Sequence, residues 1–488
     1  MTGSTRRALV FAPYGNLGIN FATSLELAQR YLDDGWHVTL LRCEGILDAC
    51  DMKHRGTLPL SCRTCAAAQR RGPSLLDGDV DELVLPRADA RVDHALSGLP
   101  DRIRSVDELL ALRYERFDLG EAVFSSTASV WWLDTVEPDF DDDRVQDDIR
   151  AQVRSAIAVY IAVLDVLGSV QPDEMAVFNG RMAIMRACIR ACEAVGTPYW
   201  THDRGGDTAR FLRVRNGMRH ELAVIAADID ATCARTDAAE RERVATAFYA
   251  DRERGTVHAW RSHTSLQIRG LVPDADGALV AAFTSTDTEF VGLGPEWRET
   301  LYPSQVEGID RIAAALAEHG WSGRLVVRVH PNTTSPAAVA AFAALADRHP
   351  HVTVLPPTDP VDSYALADAA DRVVVFGTTM GIESAYRGRH VVLAAPAAYR
   401  GRGAVHEPAT HDELVAMLIG EDLPELSRQG AIDFGFWLRT FGEPFRYAAE
   451  PELGFATFRG RRVDPAGLRL LRRGREQARR ARRALRRR

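Results

Sequence analysis

The chain has 488 residues, 46% of them hydrophobic and 26% charged, and a formal net charge of −7. That length calls for two or three cores rather than one, and the composition excludes a disordered, collagenous or disulfide-scaffold protein. No stretch reaches the roughly 18 to 20 apolar residues of a membrane span, and no N-terminal run resembles a signal peptide, so a cytoplasmic protein with reduced cysteines is expected.

Ala8–Ala12 reads as a buried strand, Gly15–Gly18 as a tight turn, Ser24–Leu32 as a helix and His37–Leu41 as the next parallel strand. This is the opening of a doubly wound sheet. Gly15-Asn16-Leu17-Gly18 lacks the full dinucleotide fingerprint, and no acidic residue ends the second strand, so a nicotinamide cofactor is rejected and Gly15 and Asn16 are expected to face an acceptor. Residues 43–75 read as an irregular insertion. Its Cys43, Cys50, Cys62 and Cys65 fall within 23 residues, a set that can hold structural zinc, or less readily an iron–sulfur cluster, against free buried thiols or a redox pair.

Residues 85–145 mix short helices with an acidic run, Asp139–Asp143, followed by a helix over Asp147–Leu167. Ala176–Phe178 is a strand ending in Asn179-Gly180-Arg181, Ala183–Val195 a helix, and Pro198–Thr201 a strand ending in His202-Asp203-Arg204-Gly205-Gly206. A carboxylate at a strand end beside glycines that admit a ligand suits a general base, so Asp203 is the candidate, the bland alternative being an Asp203–Arg204 ion pair. Asn179, Arg181, His202 and Arg204 are candidate acceptor-binding residues.

Residues 236–256 read as helical, and turn signals place a domain boundary at about 260–275. The α/β rhythm then restarts. Leu279–Phe283 is a strand ending in Thr284-Ser285-Thr286-Asp287, Gln305–His319 a helix, and Arg324–Val329 a strand ending in His330-Pro331. Val352–Leu355, Arg372–Phe376 and Val391–Ala394 are further strands, and Ser363–Ala369 and Gly381–Tyr386 helices. The fold class is α/β, with two Rossmann-like domains facing a central cleft. The divisions are 1–265 (acceptor side, with the 43–75 cysteine-rich insertion), 266–430 (nucleotide-sugar side), 431–465 as helices crossing back, and a basic tail, 466–488.

Strand ends of such sheets bind phosphorylated ligands. His330, fixed by Pro331, can neutralise a phosphate or protonate a leaving group; a strand-terminal histidine capping local backbone is the alternative. Gly377-Thr378-Thr379-Met380-Gly381 aims hydroxyls and amides at an anion, and Glu383 can accept from ribose hydroxyls, although a plain helix cap also explains this loop. Thr284, Ser285, Arg328, His330, Gly377, Thr378, Thr379, Gly381 and Glu383 form the candidate donor site.

Three stretches, Phe283 to Phe290, Arg328-Val329-His330-Pro331 and Phe376 to Ser384, together with Asn179-Gly180-Arg181 and His202 to Gly206, resemble the capsule and surface polysaccharide biosynthesis glycosyltransferases of GT-B fold. Similar bacterial sialyl- and Kdo-transferases carry a His-Pro pair and a Ser/Thr pair around the donor's CMP and an acidic base in the N-terminal domain. The resemblance therefore implies that His330, Thr378 and Thr379 hold the donor phosphate and Asp203 is the base, with no metal required for catalysis. This chain departs from their acidic-acidic-Gly motif with Asp203-Arg204-Gly205, which leaves UDP- and GDP-sugars open beside CMP-sugars. A UDP-sugar 2-epimerase and a non-catalytic envelope-assembly protein are the competing readings.

Residues 467–488 carry eleven arginines against Glu476. Such a tail attracts anionic lipid, which predicts docking on the inner face of the cell membrane beside a lipid-linked or other glycan acceptor. No aromatic residues interleave, so nucleic acid is not the expected partner. A solvated end is the alternative.

Overall fold

The computed structural model describes residues 5–53, 60–131, 138–256, 267–274, 277–286, 290–298, 300–420, 423–452 and 455–463. They fall into two compact units. One comprises the chain up to Trp131, Asp139–Arg219 and the chain from Gly442 onward, and the other is built mainly from His220–Phe441. The division thus lies at Arg219/His220, not near residue 265. The helices Leu222–Ala234 and Ala238–Glu253 belong to the second unit, where they pack on the helix Gln429–Thr440. Tyr249 is buried there and donates its hydroxyl to Ala431 O at 2.6 Å. A helix's apolar stripe shows that it will be covered, but not by which neighbour.

The first unit contains β1 (Arg7–Phe11), β2 (His37–Arg42), β3 (Asp81–Val84), β4 (Glu174–Phe178), β5 (Tyr199–Arg204) and β6 (Arg210–Arg215). Five strands run parallel in the order β5-β4-β1-β2-β3, with β6 antiparallel beside β5. Ala8–Phe11 and Met175–Val177 are fully buried, as unbroken apolar runs in a parallel sheet must be. The order reverses between β1 and β4, so the crevice at their carboxyl ends is the expected ligand position.

The helix Asp143–Val170 starts at Asp142, whose side chain accepts from Arg144 N, and stops at Gln171 in the left-handed region, φ 49°. Contrary to the sequence expectation, this one helix among the described residues is long and apolar enough to cross a membrane by length and composition. Here its apolar side, including Val153, Ile157, Tyr160 and Val163, is buried against the helices Ala183–Val195 and Leu119–Ser126. Nor is 43–75 wholly irregular, since Leu60–Arg71 is helical.

The second unit holds β7 (Leu279–Phe283), β8 (Arg324–Arg328), β9 (Val352–Leu355), β10 (Arg372–Phe376) and β11 (Val391–Ala395). All are parallel, in the order β11-β10-β7-β8-β9, so the reversal falls between β7 and β10. Val280, Ile309, Ile312, Leu325, Val327 and Val374 form its core. Each unit is Rossmann-like, and the fold class is α/β.

After Phe441 the chain rejoins the first unit through strands, not the expected helices. β12 (Glu443–Pro444) pairs antiparallel with β6, while β13 (Ala448–Glu452), β14 (Phe455–Phe458) and β15 (Arg461–Arg462) make a small antiparallel sheet. Glu26, wholly buried, anchors this return. Its carboxylate accepts the backbone N–H groups of Arg446, Tyr447 and Ala448 at 2.8, 2.8 and 2.9 Å, and Arg30 Nε at 2.9 Å. A desolvated carboxylate is tolerated only with such a complement of donors. The basic tail, 466–488, lies outside the described residues.

Candidate functional site

In the second unit, the carboxyl ends of β10, β7 and β8 lie side by side, the outer two about 10 Å apart at ordinary strand spacing. Thr284 and His330 are tied together, because His330 N donates to Thr284 Oγ1 at 2.9 Å. The imidazole Nδ1 receives Asn332 N–H at 3.2 Å and lies 3.2 Å from the Thr286 hydroxyl. A backbone N–H only donates, so Nδ1 is the acceptor and the ring proton sits on Nε2. Ser285 is buried and engaged with Gln305 through its backbone N at 2.9 Å.

Beside them, Gly377 adopts φ +75°, and a Cβ there would come within 2.8 Å of Pro396 O. Gly381 is equally constrained, since its Cβ would meet Tyr399 Oη at 2.3 Å. Tyr399 in turn donates to Thr378 O at 2.8 Å. Thr378 is buried and Thr379 exposed, so the threonine pair presents one hydroxyl outward rather than two.

Two candidates have structural partners instead of a ligand-facing role. Arg328 is buried and donates to Pro356 O at 3.0 Å and Asp359 O at 2.9 Å, holding the loop after β9; burial pushes its guanidinium pKa down. Glu383 is buried with both oxygens engaged, one by the Tyr364 hydroxyl and the other by Arg252 Nη2 at 3.0 Å, so it does not present itself to a ribose. The Glu383 carboxylate raises the Arg252 pKa, and Arg252 Nη2 also reaches Thr379 Oγ1 at 3.4 Å. Sequence reasoning missed this cation because its helix was assigned to the other domain. A cavity of about 430 Å³ at the carboxyl end of β11, lined by Leu393, Pro396, Thr300, Arg400 and Glu407, was likewise invisible in the sequence.

In the first unit, Asn179 stands at the end of β4 with φ 59°. Its Nδ2 donates to Asp203 Oδ2 at 2.6 Å, while Asp203 Oδ1 accepts Arg204 N at 2.7 Å and faces Arg219 at 3.7 Å. Arg181 donates through Nη1 to Ser125 Oγ at 2.7 Å and Ser129 Oγ at 2.9 Å. Burial lowers its pKa, opposed by the charges of Asp51 and Asp203. Thus Asn179, Arg181 and Asp203 are brought together at the reversal point of the sheet.

The other acceptor candidates are not part of that group. β5 continues to Arg204, and strand alternation turns His202 away from Asp203's side. His202 is 1% exposed, lies 3.1 Å from Ser24 Oγ through Nε2, and burial pushes its pKa down to about 4. Arg204 forms a two-pronged ion pair with buried Glu450. Gly15 and Asn16 support the helix Leu60–Arg71: a Gly15 Cβ would meet Cys65 O at 2.4 Å, and Asn16 Nδ2 donates to Ser61 O at 2.6 Å.

Among the described residues no three His, Cys, Asp or Glu side chains are grouped as a metal would need, Cys43, Cys50, Cys62 and Cys65 included. Cys65 instead contacts Pro13 O at 3.4 Å and Gln69 Nε2 at 3.3 Å. Burial raises the thiols of Cys43, Cys50 and Cys65.

No protein-family model matches the chain, and no curated protein matches it. Solved structures similar to it include a KpsC β-Kdo 2,4-transferase of Thermosulfurimonas dismutans, at 14% identity over 51% of this chain and 79% of that one, TM-score 0.35. A UDP-GlcNAc 2-epimerase of Neisseria meningitidis matches at 10% identity over 84% and 90%, TM-score 0.28. MurG of Acinetobacter baumannii matches at 12% identity over 90% and 96%, TM-score 0.26. At these identities and scores the similarity says nothing of substrate.

Proposed function

We propose that the protein is a glycosyltransferase that moves a sugar from a nucleotide-sugar donor to a hydroxylated acceptor in surface polysaccharide biosynthesis. The observation that carries this reading is the second unit's reversal point, where Thr284, Thr286, His330, Thr379 and Arg252 gather at adjacent strand ends. There His330 Nε2–H donates to a phosphate oxygen of the donor, and Arg252 and the Thr379 hydroxyl add positive potential and a further donor. The acceptor oxygen bonds to the anomeric carbon, the anomeric carbon–phosphate oxygen bond breaks, and its electron pair leaves with the phosphate. Asp203, whose carboxylate Asn179 holds in place within the first unit, is the candidate to take up the acceptor's proton. Preorganised donors of this kind stabilise the departing charge without a metal.

The basic segment 467–488 is proposed to bring the enzyme to anionic lipid, where a lipid-linked glycan would be extended. A thermal-shift series with CMP-, UDP- and GDP-sugars tests the donor reading, because a ligand of the native state raises its stability. One nucleotide class is expected to raise the melting temperature; no response to any class counts against a transferase.

A further inference from the structure

The cavity of about 430 Å³ at the carboxyl end of β11 lies within the size range of small-molecule sites, and no step of the proposed transfer uses it. Leu301, Leu393, Pro396 and Pro408 give it apolar walls. Of its polar side chains, Thr300 is already spent, because its hydroxyl donates to Tyr302 O. Arg400 and Glu407 remain. Their charges pair across 3.5 Å, from Arg400 Nε to Glu407 Oε2, while Glu407 Oε1 accepts Gly401 N at 2.7 Å. Among the described residues the guanidinium has no other partner, so its Nη nitrogens have donors to offer, and Glu407 Oε2 has lone pairs to spare.

The position of the cavity ties it to the strand ends where the donor phosphate is proposed to rest. β10 has two neighbours in the sheet, β7 and β11. The end of β7 is occupied by Thr284, Thr286 and His330, which are bonded to one another. The end of β11 is open, about 4.8 Å away, which is on the scale of a sugar ring. Pro396, in the cavity wall, touches the β10 loop: its carbonyl oxygen is 2.8 Å from the position of a Gly377 Cβ. Thr378 and Thr379 come next in that loop. A donor sugar is bonded directly to the phosphate, so a phosphate held there delivers its sugar to the cavity.

The lining decides which sugar. A carboxylate accepts from ring hydroxyls, a guanidinium donates to them, and apolar walls cover the C–H faces, so adjacent hydroxyls satisfy both members of the pair. The pair carries no net charge. A ring bearing a carboxylate would set it against Glu407 as well as Arg400, and an ammonium would meet Arg400 in the same way; like charges so placed select against a ligand.

We propose that this cavity receives the sugar of the donor, and that Arg400 and Glu407 select a neutral, hydroxyl-rich hexose over an acidic or cationic sugar. The inference rests on the glycosyltransferase reading, which supplies the phosphate beside the cavity.

Calorimetric titration of the full-length protein tests it, with free UDP, GDP and CMP as references. UDP-glucose, UDP-galactose and GDP-mannose present neutral sugars, and UDP-glucuronate and CMP-sialate acidic ones. One neutral sugar nucleotide is expected to bind, with both acidic ones at least tenfold weaker. Glu407→Gln keeps the acceptor for Gly401 N and is expected to lower the neutral-over-acidic preference at least tenfold. Arg400→Gln, at a half-exposed position, is expected to weaken the neutral sugar nucleotide at least tenfold. In both variants the free nucleotide should bind within twofold of wild type, which a merely structural role would not allow. Should Glu407→Gln unfold the chain, the Arg400→Gln result decides. Equal or tighter binding of an acidic sugar nucleotide, unchanged sugar affinity and preference in the variants, or a parallel loss of the free nucleotide would overturn the inference and leave the donor-phosphate reading standing. If no nucleotide or sugar nucleotide binds at all, both fail.

Discussion

Asn179 donates its side-chain amide to Asp203 across 2.6 Å, from a backbone position with φ 59° that non-glycine residues seldom adopt. The left-handed turn places the amide over the carboxylate, so replacing the residue separates the turn from its hydrogen bond. Asn179→Gly keeps the turn at no steric cost and removes the bond. Its kcat for transfer is expected to fall by about 10- to 100-fold through misplacement of the base, with the donor KM unchanged. Initial rates over a donor series measure both.

His202 carries a pH dependence of stability. Its folded pKa, pushed down by burial to about 4, lies below the ordinary value of 6.5. The unfolded chain therefore binds a proton over a range in which the folded chain does not, and its contribution, fully present above 6.5, is lost as pH falls from 6.5 towards 4. Full loss amounts to roughly 3 kcal/mol. Urea unfolding of wild type and His202→Gln between pH 4 and 7 is expected to show a shallower slope in the variant.

Arg204 and Glu450 form a pair whose acidic member is buried. Arg204→Ala removes the guanidinium from beside that buried carboxylate and is expected to cost about 3 kcal/mol. The double variant Arg204→Met with Glu450→Gln should recover part of the loss, because no charge is then left unpaired. Denaturant midpoints of the two proteins check this.

Gly381 sits where a methyl group would come within 2.3 Å of Tyr399 Oη and 2.8 Å of Val375 Cγ2. Gly381→Ala is expected to lose about 1 to 3 kcal/mol by overpacking. Adding Tyr399→Phe, which removes the clashing hydroxyl, should restore a part that differential scanning calorimetry can resolve.

The second unit's strands were the most legible elements. Leu279–Phe283 and Arg372–Phe376 have the bounds expected from their apolar runs, because a parallel strand covered on both faces is written as a nearly continuous hydrophobic word, and the edge strand Val352–Leu355 also has its expected bounds. β3 and β6 were missed for the opposite reason. Asp81–Val84 is largely exposed, and Arg210–Arg215 mixes three arginines with three apolar residues. Long-range hydrogen bonding such as that of Glu26 to Arg446–Ala448, which decides that the chain's return is a strand, leaves no local signal.

Among the site residues, the grouping of Asn179, Arg181 and Asp203 could be read from strand-end position alone. The removal of His202 from that group, and of Arg328 and Glu383 from the donor set, could not. Their roles depend on strand phase and on partners far along the chain, Ser24 for His202 and Arg252 for Glu383.

His330 and its neighbours are proposed to grip a nucleotide-sugar phosphate, and calorimetric titration of CMP-, UDP- and GDP-sugars into wild type and His330→Ala tests that grip. One nucleotide class is predicted to bind the wild type with its Kd raised at least tenfold in the variant, about 1.4 kcal/mol. Equal affinity in the two proteins, or no binding of any class to the wild type, would contradict it.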